Sequence, residues 1–522
     1  MILQNYVGGK WVTGAGAGHA LIDPVLGHEL AHASSVGIDL DAALKYSRQV
    51  GGSALRALGY ADRAALLGKI AETLSANRDA YYQIALENSG SPKSDAAIDI
   101  DGAIFTLKYY ARAAAALGTA RYLVDGDLVR LGRDDSFQSL HVGVPMRGVA
   151  VMINAFNFPS WGLWEKAAPA LLSGMPIFAK PATATCLLTQ RMVQDVVAAG
   201  ILPEGALSLL CGGARDLLDH VDPWDVVSFT GSADTAAQIR SHPALVRGSI
   251  RLNIEADSLN CAVLGPDATP GSAEFDLFVK EVAREMTQKA GQKCTAIRRV
   301  LLPRPSLNAA ADAISARLAR TVIGNPRNES VRMGPVVSRE QQQSVNEGIK
   351  ALKLAARVIF DGGPNFAPVD ADAALAAFVA PTLMACDDPF AARAVHDIEV
   401  FGPVATLIPY ADVDQAFEIA RMGQGSLVAS VFSADANFVE RAAIELANSH
   451  GRVHCVNATV AETQTGHGNV MPMSLHGGPG RAGGGAELGG MRALRFYHQI
   501  SAIQGPRERL DALVSAATRW PQ

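Results

Sequence analysis

The chain has 522 residues, with 46 Lys and Arg against 51 Asp and Glu, which gives a formal net charge of −5 at pH 7. Hydrophobic residues make up 49% and charged residues 19% of the chain, a balance typical of globular proteins rather than disordered ones. A mildly acidic chain has no overall attraction for nucleic acid or anionic membranes. The first residues lack the basic and apolar parts of a signal peptide, so we expect a cytoplasmic protein.

Six cysteines are scattered along the chain without a Cys-x-x-Cys pair: Cys186, Cys211, Cys261, Cys294, Cys386 and Cys455. This spacing excludes a zinc ribbon and a disulfide framework, and it is typical of a protein from a reducing compartment. The histidines also lack a ligand spacing such as His-Glu-x-x-His, so we expect no metal.

The first 145 residues predict a short strand region, 6–12, followed by Ala-rich helices at 42–86 and 96–117. From Gly148, short apolar strands alternate with helices, with strands predicted at 148–153, 176–179, 207–210, 225–229 and 250–254. This alternation predicts a doubly wound parallel sheet, the class that commonly binds nucleotides. A second α/β stretch follows from about 260 to 460, with strands at 299–302, 357–361 and 404–408.

Near the C-terminus, eight of the fourteen residues from Gly477 to Gly490 are glycine. The segment has no Gly-X-Y period, which excludes a collagen-like helix. A flexible linker is one interpretation. The density of glycine favours tight loops in which the backbone approaches a ligand.

Three short segments carry candidate chemistry. Cys294 follows a helical stretch at a Gly-Gln break, where an exposed thiol beside backbone N–H groups can act as a nucleophile. Glu255 and Asp257 end the last strand of the first sheet, where either could serve as a base or simply lie in solvent. Asn157 follows the first of these strands, where its amide could donate to an oxyanion or cap the next helix.

Eight motifs occur in the order found in the aldehyde dehydrogenase superfamily, and the chain resembles that family over essentially its whole length. The motifs are Phe156-Asn157-Phe158-Pro159, Lys180-Pro181-Ala182, Leu202-Pro203-Glu204-Gly205, Phe229-Thr230-Gly231-Ser232, Glu255, Gly291-Gln292-Lys293-Cys294, Met333-Gly334-Pro335 and Glu399-Val400-Phe401-Gly402-Pro403-Val404.

The resemblance implies an α/β fold with a Rossmann-type parallel-sheet cofactor domain, a second α/β catalytic domain and a β oligomerisation arm. We expect the cofactor domain at 1–121 and 146–256, and the catalytic domain at 257–480. The arm and C-terminal tail are expected at 122–145 and 490–522. The resemblance further implies a homodimer or a dimer of dimers, assembled through the stretches 122–142 and 496–503.

The implied reaction begins with attack of the Cys294 thiolate on an aldehyde. The Asn157 amide and the Cys294 N–H would hold the oxyanion, a nicotinamide cofactor would take the hydride, and Glu255 would activate water to release the acid. Lys180 and Glu399 would bind the two riboses of the cofactor. The residues expected at the cofactor are Ile153, Asn154, Ala155, Phe156, Lys180, Ala182, Thr183, Gly212, Phe229, Thr230, Gly231, Ser232, Glu255, Glu399 and Phe401.

Thr183 departs from the pattern of NAD-preferring family members, which usually carry Glu at this position. A carboxylate would repel a 2′-phosphate whereas a hydroxyl can donate to it, so we expect NADP, with NAD weaker. The usual Glu-Leu-Gly-Gly-Lys motif has also become Glu255-Ala-Asp-Ser-Leu259. The sequence leaves open whether Asp257 is structural or perturbs Glu255.

Glu255-Ala-Asp-Ser-Leu-Asn260, Met471-Pro-Met473 and the run from His476 to Gly485 resemble a branch of the family in aromatic (benzoate) catabolism. Its members oxidise an aldehyde at the far end of a CoA thioester, such as 3,4-dehydroadipyl-CoA semialdehyde. Three alternatives remain: another aliphatic or aromatic aldehyde, a CoA-acylating dehydrogenase, or an inactive structural homologue. Retention of Glu255 favours hydrolysis over CoA acylation.

Overall fold

A computed structural model describes residues 1–213, 216–363 and 366–520. Its strands are β1 (Ile2–Val7), β2 (Lys10–Thr13), β3 (His19–Ile22), β4 (Glu29–Ala33), β5 (Leu123–Arg130), β6 (Phe137–Pro145), β7 (Ala150–Ile153), β8 (Ile177–Lys180), β9 (Leu207–Leu209), β10 (Val226–Thr230), β11 (Arg251–Glu255), β12 (Cys261–Leu264), β13 (Arg299–Pro303), β14 (Arg357–Phe360), β15 (Thr382–Ala385), β16 (Val404–Tyr410), β17 (Ser426–Phe432), β18 (His450–Val456), β19 (Leu475–Gly477), β20 (Ala486–Leu488), β21 (His498–Pro506) and β22 (Thr518–Arg519).

The helices are α1 (Leu40–Tyr46), α2 (Gly52–Ala57), α3 (Tyr60–Ala76), α4 (Arg78–Ser89), α5 (Lys93–Ala115), α6 (Trp161–Leu172), α7 (Cys186–Ala198), α8 (Ala233–Arg240), α9 (Pro243–Gly248), α10 (Ala273–Thr287), α11 (Leu307–Leu318), α12 (Arg339–Leu352), α13 (Ala394–Asp397), α14 (Val413–Arg421), α15 (Ala436–Ala447) and α16 (Arg507–Ser515). None of those in the described ranges is long and apolar enough to cross a membrane.

The first sheet confirms the predicted alternation of strands and helices. Its order is β11-β10-β7-β8-β9-β1-β4-β3, with β2 paired to β1, and the five strands from β11 to β9 are all parallel. Helices α6 and α7 follow β7 and β8 in turn, at Trp161–Leu172 and Cys186–Ala198. The helices that join these short apolar strands cover both faces of the sheet, as in the doubly wound class.

The register of this sheet brings the candidate residues to one edge. Thr230 at the end of β10 pairs with Glu255 at the end of β11, and Phe229 pairs with Ile153 at the end of β7. Ile153 in turn pairs with Lys180, the last residue of β8. Because parallel strands share a direction, their carboxyl ends form a common rim, and residues far apart in sequence meet there.

The second sheet has the order β14-β15-β16-β13-β12-β17-β18, in which only β14 among the described strands runs antiparallel to its neighbour. Helix α10 packs on β12 and leads to Cys294. The fully buried Arg299 in β13 donates to the carbonyl oxygens of Leu259, Ile419 and Ala420. These bonds tie the strand to the segment after β11 and to α14.

The predicted arm segments form a third sheet, in the order β21-β6-β5-β22. β6 and β21 pair antiparallel from His498 with Pro145 to Pro506 with Phe137. The domain boundaries and the homodimer stay predictions, since the sheet pairing of one chain tests neither. Residues 214–215, 364–365 and 521–522 of the predicted cofactor domain, catalytic domain and tail lie outside the described residues.

The glycine-rich run packs against the end of β11. The N–H of Ala256 donates to the carbonyl of Ala482 at 3.0 Å, and the N–H of Gly485 donates to the carbonyl of Ile254 at 3.2 Å. A Cβ at Gly483 would lie 2.1 Å from the Ile254 oxygen. The close approach expected from the glycine density is therefore present, and its partner is the chain's own backbone beside the predicted base.

Gly483→Ala should destabilise the protein more than Gly484→Ala, although both glycines have positive φ, +111° and +72°. At Gly484 no atom lies within 4 Å of the added carbon, so only left-handed backbone strain of about 1 kcal/mol remains. At Gly483 the overlap with β11 adds to that strain, for a total of about 3 kcal/mol. Urea unfolding of both variants measures this difference, and equal losses would contradict the packing described.

Candidate active site

Cys294 follows a sharp turn in the backbone. After α10, Lys289, Ala290 and Gly291 all adopt positive φ, +52°, +51° and +69°, so the chain reverses direction. A Cβ at Gly291 would lie 2.1 Å from the carbonyl oxygen of Gly402, so this position requires glycine. The turn carries Cys294 to the rim of the first sheet, where Glu255 ends β11.

Two cavities meet at Cys294. One, of about 490 Å³, opens along the rim and is lined by Ala155, Phe156, Asn157, Ala182, Thr230, Gly231, Ser232, Asp234, Glu255, Ala256, Asp257, Cys294, Gln341, Ser344, Glu399 and Phe401. The other, of about 390 Å³, approaches from α5 and is lined by Ala97, Ile98, Asp101, Gly102, Phe105, Phe158, Trp161, Cys294, Thr295, Gly468, Asn469, Val470 and Met471. A thiol shared by two cavities can react with a molecule in one while a second molecule lies in the other.

Asn157 is buried beside the turn that carries Cys294. Its Nδ2 donates to the carbonyl of Gln292 at 3.1 Å. The alternative that Asn157 caps α6 fails, because the carboxylate of Asp99 fills that position, accepting from the N–H of Trp161 at 2.6 Å. The Asn157 amide is thus held by the loop that carries Cys294.

Glu255 is buried, only 3% exposed, and its Oε2 lies 2.8 Å from Nε2 of His476. Burial raises the pKa of the Glu255 carboxyl, but His476 and Lys166 outweigh burial and lower that pKa to about 2. Burial and the Glu255 carboxylate together raise the pKa of the Cys294 thiol well above its usual value. The thiol therefore keeps its proton at rest, next to an ionised carboxylate that can accept it.

Three further buried charged residues, Glu165, Lys166 and Glu487, lie near Glu255. The sequence did not indicate that these residues or His476 belong to the site. Lys166 Nζ contacts Oε1 of Glu165 and lies 3.1 Å from Oε2 of Glu487. Burial and the neighbouring Glu487 raise the pKa of Glu165, while Lys166 opposes that shift. These residues lie on α6 and β20, so no local motif could have grouped them.

The structure brings two sets of potential metal ligands together, although no sequence spacing indicated them. Glu255, Cys294 and His476 each place one ligand atom within 4.8 Å of the other two, and so do Glu165, His476 and Glu487. Both sets are explained by acid–base pairing. The absence of a metal in the working enzyme stays a prediction.

The rim cavity contains unsatisfied polar atoms of the kind a bound cofactor would meet. Oε1 of the buried Glu399 and Oγ1 of Thr230 have no hydrogen-bond partner within the described part of the chain. Burial raises the pKa of Glu399 to about 8, against the opposing charge of Arg298. Phe401 packs edge-to-face on Phe156 at 5.7 Å, forming an aromatic wall. These groups fit a ligand with hydroxyls and a flat ring.

Nine of the predicted cofactor residues line this cavity: Ala155, Phe156, Ala182, Thr230, Gly231, Ser232, Glu255, Glu399 and Phe401. Six do not line it, and they are in the strands of the first sheet or in the segments that follow these strands: Ile153, Asn154, Lys180, Thr183, Gly212 and Phe229. Phe229, for instance, lies beneath Gly231, where an added Cβ would be 2.5 Å from its ring. The roles of all fifteen residues stay predictions.

Asp257 has a structural contact that the sequence could not show. Its Oδ1 accepts from the N–H of Ala233 at 2.8 Å, at the start of α8, and its Oδ2 lies 3.5 Å from Arg481. Ser232, the N-cap of the same helix, accepts from the N–H of Thr235 at 3.3 Å. Asp257 thus supplies a second cap to α8 and joins it to the glycine-rich run.

Comparison with known proteins gives a consistent result. The chain matches the aldehyde dehydrogenase family over residues 11–503. It is 60% identical over 479 residues to 3,4-dehydroadipyl-CoA semialdehyde dehydrogenase of Aromatoleum evansii, covering 92% of this chain and 93% of the relative.

Two solved structures share the fold. A putative aldehyde dehydrogenase from Burkholderia cenocepacia has a TM-score of 0.84 at 24% identity, covering 96% of this chain and 97% of that one. Betaine aldehyde dehydrogenase of Staphylococcus aureus in complex with NAD⁺ has a TM-score of 0.82 at 23% identity, covering 97% and 95%. The motifs, the sheet topology and the match over nearly the full chain lead to one conclusion: the chain belongs to the aldehyde dehydrogenase family.

Proposed function

We propose that the protein oxidises a CoA-linked semialdehyde, 3,4-dehydroadipyl-CoA semialdehyde, to the carboxylic acid in benzoate catabolism, using NADP. The observation that carries the proposal is the position of Cys294, which borders both the rim cavity and the cavity under α5. A nucleophile in that position can hold an aldehyde from one side while a nicotinamide approaches from the other. The substrate itself is inferred from the relative of Aromatoleum evansii.

The chain's residues supply the proton transfers of this reaction. Glu255 takes the proton of the Cys294 thiol, and the thiolate attacks the aldehyde carbon. The oxyanion that forms accepts from the Cys294 N–H and from Asn157, whose amide has a second hydrogen beyond the one given to Gln292. A bound nicotinamide would supply the hydride acceptor for the oxidation that leaves a thioester on Cys294. Glu255 gives up the proton of the thiol to solvent and then takes a proton from water, which attacks the thioester, frees the acid and returns Cys294 as the thiolate.

The rim cavity is the proposed cofactor site. Glu399 would accept from ribose hydroxyls, and Phe401 with Phe156 would cover the nicotinamide. Thr183, in the turn Thr183–Thr185 after β8, lies three residues after Lys180. A hydroxyl and an ammonium group there supply no negative charge to repel a 2′-phosphate, which supports NADP over NAD.

The cavity under α5 and the ionised Glu255 support a long aldehyde as substrate and hydrolysis of the thioester by water. The cavity under α5 is lined mainly by apolar side chains, among them Phe105, Phe158 and Trp161. Such a cavity suits the aliphatic end of an acyl chain, with the CoA portion extending outward. The buried, ionised Glu255 favours hydrolysis over CoA acylation, and together with Cys294 and Asn157 it argues against an inactive homologue.

We also propose a homodimer assembled through the sheet of β5, β6, β21 and β22, since its outer strands can pair with a second chain. A monomeric mass by light scattering would contradict this. The six free thiols, in the part of the chain that the structure describes, support the proposed cytoplasmic location.

Cys294→Ala should abolish NADPH formation from the CoA-linked semialdehyde, with a loss of at least about 10³-fold, because no other nucleophile among the described residues borders both cavities. Cys455→Ala is the control, since this partly exposed thiol lies on β18. The wild type should need no free CoA, and kcat/KM should fall for the aldehyde without its CoA portion. Undiminished turnover by Cys294→Ala would disprove the proposal, and a requirement for free CoA would support acylation instead.

Thr183→Glu should reverse the cofactor preference, because its carboxylate repels a 2′-phosphate and accepts from a 2′-hydroxyl. We expect the ratio of kcat/KM with NADP to kcat/KM with NAD to exceed one in the wild type and to fall at least about 10-fold in the variant. Thr183→Gln has the same size without the charge and should retain the NADP preference. A wild type that favours NAD would contradict the assignment.

A further inference from the structure

His476 contacts Glu255, which adjoins the partly buried Cys294 thiol, and also lies close to a second group of buried acids. On one side, Nε2 is 2.8 Å from Oε2 of Glu255, which adjoins Cys294. On the other side, a ring nitrogen lies within 4.8 Å of carboxylate oxygens of Glu165 and Glu487. The imidazole is 3% exposed, so it acts on these groups without solvent between them.

The fold fixes the position of this ring. His476 is the central residue of β19 and pairs with Glu487 of β20. The indole of Trp161 packs edge-to-face against the imidazole, with centroids 5.4 Å apart. The ring therefore cannot turn away from Glu255 without moving the β19–β20 hairpin or α6.

The charges around Glu255 show why it needs this partner. Its Oε1 has no hydrogen-bond partner among the described residues, and a buried carboxylate stays ionised only beside positive charge. Lys166 of α6 is the other cation that faces it, but the Lys166 ammonium is in contact with Glu165 and Glu487. His476 makes the direct contact with Glu255.

We propose that His476 is a positioning residue for the oxidation described above: its ring, in direct contact with the Glu255 carboxylate, holds Glu255 ionised and turned towards the Cys294 thiol, ready to accept its proton. The inference rests on the proposed function and extends it to a residue that the sequence analysis named only as the first residue of the run from His476 to Gly485. The groups that set its effect are Glu255 on β11, Cys294, Glu165 and Lys166 on α6, and Glu487 on β20.

Loss of the His476 imidazole would change the pH dependence of the reaction. With His476 in place the pKa of Glu255 is about 2, so the base stays ionised as the pH falls from neutral into the mildly acidic range. Without the imidazole, burial is opposed only by Lys166 and by the hydrogen bond with Cys294, and the pKa of Glu255 rises. The base is then protonated at a higher pH, and the acid side of the rate profile moves upward.

The test measures the rate of the first turnover of NADPH formation between about pH 5.5 and pH 8.5 in the wild type, His476→Ala and His476→Gln. We expect the wild type to keep its rate on the acid side. His476→Ala should lose about 10- to 100-fold at neutral pH, with a further loss at lower pH. His476→Gln should lose less at neutral pH, because its amide can still donate to Glu255. On the acid side, its rate should begin to fall at the same raised pH as the rate of His476→Ala. KM for aldehyde and cofactor should stay within about 2-fold.

His450→Gln is the matched control, a buried histidine on β18 that contacts Leu446 and Cys261. Its profile should equal that of the wild type. Wild-type pH profiles in both His476 variants would overturn the inference and leave the proposed function intact. The proposed function fails only if Cys294→Ala remains active. If the variants do not fold, the pH profile of the wild-type rate is the test. A fall in rate centred at about pH 6 or above would then overturn the role of His476.

Discussion

A buried carboxylate beside a partly buried thiol is the constraint on which the rest of the site depends. Glu255 ends β11 with 3% of its surface exposed, and an acid so placed is costly unless positive charge and hydrogen-bond donors surround it. His476 and Lys166 meet this requirement, and Glu165 and Glu487 balance the charge of Lys166. The glycine-rich run serves the same end, since its backbone packs on Ile254 and continues to the β19–β20 hairpin that carries Glu487.

Each of the two sheets positions a different part of the set of reacting groups. The first places Asn157 and Glu255 at the common rim of its parallel strands, because the register aligns the ends of β7, β10 and β11. The second supports α10 and the left-handed turn through Gly291 that presents Cys294 to this rim. Cys294 consequently borders two cavities, and the proposed chemistry follows from that geometry: one cavity for the cofactor, one for the aldehyde.

Much of this arrangement could be predicted from the sequence, for a physical reason. The strands of the first sheet are short apolar runs whose carboxyl ends must lie together, so the residue pattern alone assigns Asn157 and Glu255 to one rim. His476 could not be assigned in this way, because its partner lies far away in sequence and no spacing rule links β19 to β11. The same limit applies to Lys166 and to Asp257, whose capping of α8 depends on a contact between separate segments. The glycine density predicted a close approach of the backbone to a ligand, whereas the group approached in the structure is the backbone of Ile254.

The central claim, that Cys294 carries the acyl group between the two half-reactions and Glu255 releases it, can be tested by trapping. Glu255→Gln removes the carboxylate that raises the pKa of the Cys294 thiol, so the thiol can lose its proton to solvent and oxidation can proceed slowly. Because glutamine cannot accept a proton from water, hydrolysis should stall after oxidation. Mass spectrometry of this variant after mixing with aldehyde and NADP should show one acyl group per chain, on the peptide containing Cys294. A variant that forms NADPH without any adduct on Cys294, or with the adduct on another residue, would contradict the account.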